Sequence, residues 1–293
     1  MTNVKPILIA GATASGKSAL ALVLAEKFGG EIINADSMQV YAELDILTAR
    51  PAKADMARAP HALYGHVPAR EAYSVGRFVV DAASAISGAV RAGRRPILVG
   101  GTGLYFKALT EGLSPIPPVD ESIRAHWRNE AERHGGAALH SRLMQRDPEM
   151  AARLVANDTQ RIVRALEVLD SSGVSLAAWQ RRPGTPVVAE DTCVKRLVTR
   201  PREELYARAG ARFDAMMEAG AYEEAQALAA LGLDSALPAM RALGVAPLIA
   251  AARGETPLTE AVALAKTETR QFIKRQETWF RRYMISWNDE VSQ

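Results

Sequence analysis

The chain has 293 residues, 48% hydrophobic and 24% charged, a composition that is typical of folded globular proteins and excludes disorder and low complexity. Its 36 basic and 33 acidic residues leave a net charge of +3, so any contact with nucleic acid would need a local cluster of cations. The length predicts one large or two modest domains.

The single cysteine, Cys193, excludes an internal disulfide and a cysteine-based zinc site. No apolar run approaches the ~18 residues of a membrane span, and the run at residues 7–10 is too short for a signal peptide. We therefore expect a cytoplasmic protein with no membrane partner and, by default, a monomer.

The first third of the chain alternates short apolar runs with helical patterns. The predicted strands are residues 6–10, 31–34 and 96–99, and the predicted helices are residues 17–28 and 74–91. This alternation indicates an α/β fold, with a parallel sheet and crossover helices.

Two clusters of turn-forming residues, 114–118 and 181–186, bound a region of different character. Between them we predict only helices, at residues 121–134, 137–145 and 159–171. A strand at residues 193–199 follows, and then helices at residues 202–219, 222–231 and 258–283. We interpret residues 119–186 as a helical insertion domain in an α/β core that is formed by residues 1–118 and 187–293.

A complete phosphate-binding motif, G-x-x-x-x-G-K-[ST], joins the first predicted strand to the first predicted helix. Its residues are Gly11, Ala12, Thr13, Ala14, Ser15, Gly16, Lys17 and Ser18. The glycines let backbone N–H groups face an anion, and the helix N-terminus adds its positive dipole. Lys17 supplies a charge and the Ser18 hydroxyl a natural Mg²⁺ ligand. The motif predicts binding of a di- or triphosphate, as in ATP-binding and other nucleotide-binding proteins; a chance glycine turn is the alternative.

The strand at residues 96–99 ends in Gly100 and Gly101, without an acidic residue. Standard NTPases hold Mg²⁺ with an acidic residue at the end of such a strand. Its absence argues against a motor or switch ATPase and leaves room for another use of a bound diphosphate.

Asp36 follows the second predicted strand. Because the carboxyl ends of parallel strands share one edge of the sheet, we expect Asp36 beside the phosphate loop. There it could bind Mg²⁺ through water or act as a general base. The alternative is an Asx-turn or a helix cap, and position alone does not decide between them.

A series of motifs along nearly the whole chain resembles the tRNA dimethylallyltransferases, also called tRNA isopentenyltransferases. They are the phosphate loop, Asp36-Ser37-x-Gln39-x-Tyr41, Ile46-x-Thr48-Ala49, residues 100–105, residues 160–167, Arg212-Phe213-x-x-Met216, residues 240–244 and residues 269–279. Ala12, Ser18 and Val245 depart from the family's usual Pro, Thr and Tyr, but none of these changes removes a chemically required group.

The resemblance implies a P-loop NTPase-like core and a prenyltransferase that uses Mg²⁺. Such an enzyme transfers a dimethylallyl group from dimethylallyl diphosphate to N6 of the adenosine 3′-adjacent to the tRNA anticodon, giving N6-isopentenyladenosine and diphosphate. The resemblance assigns Asp36 as the acceptor of the amine hydrogen, Thr13 to the reacting diphosphate, and Arg212 to the diphosphate from across the site. Lys17 would neutralise the charge that develops on the leaving diphosphate. Without the family, a solvated helix face would be the simpler interpretation of Arg212.

The same resemblance implies contacts with the tRNA anticodon stem-loop, whose target base must be extruded into a pocket. The residues concerned are Asp36, Ser37, Met38, Gln39, Thr102, Arg124, Gln160, Arg161, Ile162, Val163 and Arg164. The alternative for residues 160–164 is the start of an amphipathic helix with solvated arginines, and for Thr102 it is a helix N-cap.

Residues 266–282 contain six cations against two acids, which predicts a basic helix face along a phosphate channel or, equally, a solvated helix that packs on the core. His61 and His66 lack metal-ligand spacing. Three other functions share the phosphate loop: a small-molecule kinase, an isopentenyltransferase acting on free adenine nucleotides, and an ATP-dependent RNA-binding module. The insertion argues against the first two, the basic helix argues also against the kinase, and the missing acidic residue argues against the RNA-binding module.

Overall fold

The computed structural model describes residues 5–291, which form two compact units. The first contains the described residues of 1–110 and 187–293, and the second is residues 111–186. The second unit thus begins at residue 111 rather than at the predicted residue 119. Ile116 packs against the hydrophobic core of this unit, and the backbone at Gly112 lies against that of Gly184 and Thr185.

The strands and helices follow the predicted alternation. The strands are β1 (Ile7–Gly11), β2 (Gly30–Asn34), β3 (His61–Ala62), β4 (Arg95–Gly100), β5 (Val194–Thr199) and β6 (Asn288–Val291). The helices are α1 (Lys17–Phe28), α2 (Lys53–Arg58), α3 (Val75–Arg91), α4 (Gly103–Glu111), α5 (Glu121–Arg146), α6 (Pro148–Ala151), α7 (Thr159–Ser172), α8 (Leu176–Gln180), α9 (Arg202–Glu218), α10 (Ala221–Ala230), α11 (Val245–Ala252) and α12 (Leu258–Tyr283).

The strands form one sheet, parallel throughout its described part, in the order β3-β2-β4-β1-β5-β6. Strands β1 and β4 are buried along almost their whole length, as expected for parallel strands covered on both faces. They pair directly, with Ala10 opposite Gly100. The loops that leave these two strands therefore lie side by side. The predicted α/β fold with a parallel sheet is confirmed.

Helices cover both faces of the sheet. Ile7 and Ile9 of β1 pack in a core with α1, whereas Leu8 and Ala10 point to the opposite core, because successive strand residues face opposite sides. Ile273 of α12 is fully buried in that second core. The long C-terminal helix α12 therefore packs on this face of the sheet.

The second unit is helical throughout, with its own core. Helix α5 is kinked at Gly135, whose φ of 72° and ψ of 170° are not helical, so the predicted break after residue 134 is confirmed. Trp127 is buried there and donates its indole N–H to Asp170 at 2.7 Å.

The two edge strands escaped prediction because β3 has only two residues and β6 is largely polar. None of the helices within residues 5–291 combines the length and the apolar character needed to cross a membrane.

Candidate active site

The phosphate loop connects β1 to α1 in a conformation that needs its glycines. Gly16 has a φ of 98°, and Ala14 also adopts a positive φ, of 66°. A side chain on Gly11 would lie 2.6 Å from Ser15 Oγ and 2.9 Å from the Val198 carbonyl oxygen. No side chain caps the N-terminus of α1, so its first N–H groups are available to an anion.

Beside this loop lies a cleft of about 370 Å³. It is lined by Ala14, Gly16, Lys17, Ser18, Ala19, Arg208, Ala211 and Arg212. Burial lowers the pKa of Lys17 to about 8; Asp36 nearby opposes that shift, and Arg212 adds to it. Lys17 Nζ also donates to the Ala12 carbonyl at 3.3 Å. The cleft therefore presents cations to a small anionic group.

Arg212 belongs to α9 and lines this cleft rather than a solvated helix face. Burial lowers the pKa of its guanidinium, Asp36 raises it, and Arg208 lowers it further. The fold thus brings Lys17, Asp36 and Arg212 within electrostatic reach of one another, although they come from separate parts of the chain.

Asp36 uses its two carboxylate oxygens differently. Oδ1 accepts a hydrogen bond from the Met38 backbone N–H at 3.0 Å, which is the Asx-turn that local sequence allowed. Oδ2 has no hydrogen bond to the described residues and lies 3.4 Å from the point where a Cβ on Gly101 would stand. Asn34 is buried and holds the backbone of Asp36 through two hydrogen bonds. The turn therefore fixes the carboxylate and leaves one oxygen for chemistry.

Thr102 joins the loop after β4 to the Asp36 segment. Its Oγ1 accepts from the Ser37 backbone N–H at 3.0 Å and donates to Ser37 Oγ at 3.3 Å. Gly100 lies so close to Ala35 that a Cβ would come within 2.0 Å of its carbonyl oxygen. The absence of a side chain at Gly100 lets the loop after β4 contact the segment that carries Asp36.

Gln39 is partly buried, and its Nε2 donates to the carbonyls of Thr48 and Ala49 at 2.9 and 2.8 Å. These bonds hold the segment around residues 48–49 against the Asp36 turn. Met38 is packed against the core of the first unit. A contact of Gln39 with RNA would therefore use the amide oxygen.

The predicted tRNA-binding residues of the second unit differ in accessibility. Arg161 is 75% exposed and paired with Asp158, and Arg164 is paired with Glu167. The Ile162 side chain is fully buried, because the apolar face of α7 fills the core of its own unit, so a contact of this residue with tRNA could not use its side chain. Val163 packs against the same core, Gln160 is exposed, and Arg124 is paired with Glu121 in the first turn of α5.

The described residues can hold a metal ion only in a limited way. Residues 5–291 contain no cluster of three or more His, Cys, Asp or Glu side chains suited to a metal. The Ser18 hydroxyl is exposed at the cleft. Since Mg²⁺ usually keeps several waters and takes one or two protein ligands together with substrate phosphates, this donor set fits Mg²⁺ bound with a diphosphate.

The IPP transferase family model matches residues 39–283 of this chain, and the isopentenyl transferase model matches residues 4–63. The chain belongs to the IPP transferase family.

Individual relatives agree with this family. The tRNA dimethylallyltransferase of Bradyrhizobium sp. (strain ORS 278) is 52% identical over 281 residues, which are 96% of this chain and 91% of that protein. That of Parvibaculum lavamentivorans is 51% identical over 97% of this chain and 90% of its own length.

Solved structures show the same fold. The tRNA isopentenylpyrophosphate transferase of Bacillus halodurans is 34% identical with a TM-score of 0.68, covering 98% of this chain and 90% of its own. A eukaryotic dimethylallyltransferase acting on tRNA is 26% identical with a TM-score of 0.79, covering 98% of this chain and 74% of its own. The resemblance inferred from the motifs is confirmed.

Two further arginines of this IPP transferase lie at the phosphate loop and were not predicted from the sequence: Arg208 in α9, and Arg200 just before that helix. Arg208 Nε donates to the Ala14 carbonyl at 3.0 Å and lines the cleft. Arg200 Nε donates to the Ser15 carbonyl at 3.0 Å. Arg208 precedes Arg212 by four residues in a predicted helix, and this spacing placed both on one face.

Proposed function

We propose that this protein transfers the dimethylallyl group of dimethylallyl diphosphate to N6 of the adenosine 3′-adjacent to a tRNA anticodon. The observation that carries the proposal is the meeting of Lys17, Arg212 and Asp36 at the phosphate loop. Two cations there suit a diphosphate, and a carboxylate suits the proton of an amine. Relatives that are named tRNA dimethylallyltransferase support the same reaction.

The cationic cleft would act on the leaving group. When the allylic carbon–oxygen bond breaks, diphosphate departs with the electron pair, and negative charge grows on its oxygens. Lys17, Arg212 and the uncapped N–H groups of α1 are fixed groups that stabilise this charge. Mg²⁺ held by the Ser18 hydroxyl and the diphosphate oxygens would neutralise further charge.

Asp36 would act on the nucleophile. The adenine N6 forms the new bond to the allylic carbon and releases a proton, which the Oδ2 atom of Asp36 accepts. The bond from the Met38 N–H to Oδ1 keeps the carboxylate oriented for this transfer.

The acceptor base would be extruded from the stacked anticodon loop to reach this site. Ser37, Gln39 and Thr102, near Asp36, would contact the base. The exposed Arg161 and the half-buried Arg164 of α7 would contact RNA phosphates. The exposed cations on the basic face of α12 suit the same partner: these are Arg270, Lys274 and Arg281. We propose that the protein acts as a monomer.

The test is mass spectrometry of nucleosides from unmodified tRNA that has been incubated with the protein, Mg²⁺ and dimethylallyl diphosphate. The expected product is N6-isopentenyladenosine, only at the position beside the anticodon. Free AMP as a competitor separates tRNA prenylation from prenylation of free nucleotides. Folded protein that yields no prenylated adenosine, but transfers phosphate from ATP to a small hydroxylated metabolite, would replace the proposal with a kinase.

A further inference from the structure

Gln276 is a buried polar residue in the middle of α12, only 5% exposed. Both ends of its amide are engaged outside its own helix. Its Oε1 accepts from the Thr13 backbone N–H at 2.9 Å, and its Nε2 donates to the Gly101 carbonyl at 2.9 Å. One side chain thus bonds two loops that contribute to the candidate active site.

The two loops leave neighbouring strands, β1 and β4, and contribute different parts of the site. The first is the phosphate loop, which contains Lys17. The second is the glycine turn at residues 100–103, in which Thr102 holds Ser37, and Asp36 Oδ2 lies against Gly101. The spacing of these two loops therefore sets the distance between Lys17, which would bind the leaving diphosphate, and Asp36, which would accept the amine proton.

The site is built to accept this amide. A Cβ on Gly101 would stand 2.4 Å from Gln276 Nε2, so only glycine allows the approach. One turn further along α12, Trp279 lies where a side chain on Gly103 would stand, with ring atoms 2.2 Å from that point. Helix α12 therefore contacts the glycine turn at two positions that are one helical turn apart.

We propose that Gln276 is a positioning residue for prenyl transfer, which sets the phosphate loop at a fixed distance from Asp36. The inference rests on the proposed function, in which the two loops act on opposite ends of one reaction. Because Gln276 occupies the backbone N–H of Thr13, that residue would reach the diphosphate through its hydroxyl. Diphosphate binding itself depends on Lys17, Arg212 and other loop amides.

The test compares Gln276→Met, which keeps the shape of the side chain without its hydrogen bonds, with Glu277→Gln as a matched control. Glu277 is the next residue of α12 and pairs with Arg202 of α9 at 2.7 Å. The control therefore also removes an ion pair between α12 and another helix. Steady-state kinetics of prenyl transfer give kcat and the KM for dimethylallyl diphosphate.

We expect Gln276→Met to lower kcat by about 10- to 100-fold, since a misplacement of about 1 Å can cost that much. The KM for dimethylallyl diphosphate should change by less than about threefold, because ground-state binding is kept. Glu277→Gln should leave both parameters within about twofold of the wild type, because this side chain pairs with Arg202 and not with either of the two loops.

A second measurement, hydrogen exchange of the peptide containing residues 11–18, does not depend on activity. We expect faster exchange in Gln276→Met and unchanged exchange in Glu277→Gln, because only the first frees the Thr13 N–H. If Gln276→Met does not fold, Gln276→Glu replaces it: this variant keeps the acceptor for Thr13 but loses the donor to Gly101, so kcat should fall while the loop stays protected.

A Gln276→Met enzyme with wild-type kcat, or with wild-type exchange of the phosphate loop, would overturn the inference. So would equal losses in kcat and in affinity for dimethylallyl diphosphate, which indicate general loosening. If the two variants differ in exchange as expected but the wild-type protein makes no prenylated tRNA, the result would support the role of Gln276 in holding the two loops and refute the proposed function instead.

Discussion

At the scale of single residues, the proposed function adds a chemical role to the structural role of the Asp36 carboxylate. Asp36→Asn keeps an oxygen that can accept from the Met38 N–H but removes the group that takes the proton. We expect the single-turnover rate of prenyl transfer to fall by at least about 100-fold, as for loss of a general base, with tRNA affinity largely retained. Loss of affinity with an unchanged rate per bound complex would make Asp36 a binding residue instead.

In the proposed function, Lys17 should make the binding of dimethylallyl diphosphate depend on pH. Burial places its pKa at about 8, so the ammonium is charged below that pH and loses its charge as the pH rises through it. The affinity for dimethylallyl diphosphate, measured by calorimetry, should therefore weaken above about pH 8. Lys17→Arg keeps its charge there, and its affinity should weaken less. Equal pH dependence in the two proteins would contradict this role.

At the scale of elements, Glu224 ties α10 to the segment that follows the Asp36 turn. Its carboxylate accepts three backbone N–H groups, those of Asp45, Ile46 and Leu47, at 2.7 to 2.8 Å. The next two residues carry the carbonyls that Gln39 binds. A distant helix thus orders a segment beside the candidate site.

Glu224→Ala should lower the free energy of unfolding by about 2 kcal/mol, because it removes bonds to a charged acceptor that water replaces only in part. Urea denaturation measures this change. Glu223, the preceding residue of α10, is exposed, and Glu223→Ala should change the free energy of unfolding by less than about 0.5 kcal/mol. Similar values for the two variants would show that the three bonds contribute little.

At the scale of the whole molecule, the second unit is inserted where the chain of the first unit nearly closes on itself. The backbone N–H groups of Val187 and Val188 both donate to the Leu109 carbonyl, at 2.9 and 3.0 Å. The two ends of the insertion are therefore adjacent, and the second unit has a separate hydrophobic core.

Replacing residues 111–186 by a short Gly-Ser linker should leave a folded first unit. We expect a cooperative thermal transition and retained binding of dimethylallyl diphosphate, since the cleft belongs to the first unit. Prenyl transfer to tRNA should be lost, because the predicted contacts of α7 are removed. A variant that unfolds, or one that prenylates tRNA normally, would contradict the assignment of diphosphate binding to the first unit and of tRNA contacts to the second.

Much of this molecule followed from its sequence. The phosphate motif, the strand–helix alternation and the long helices α1, α9 and α12 were predicted within one or two residues, because each depends on local periodicity and turn residues. The short helix α11 was missed because it is apolar on nearly every side and shows no amphipathic pattern.

The tertiary structure decided how distant side chains meet. Thr13 and Gln276 are 263 residues apart in the chain, and nothing in the local pattern of α12 separates its buried glutamine from a solvated one. Ile162 faces its own core, and Glu224 reaches three amides far from α10. The sequence by itself determined most of the elements and the chemistry of the phosphate loop, because those depend on neighbouring residues. The arrangement of the site depends on contacts between distant segments, which exist only after the helices pack on the sheet.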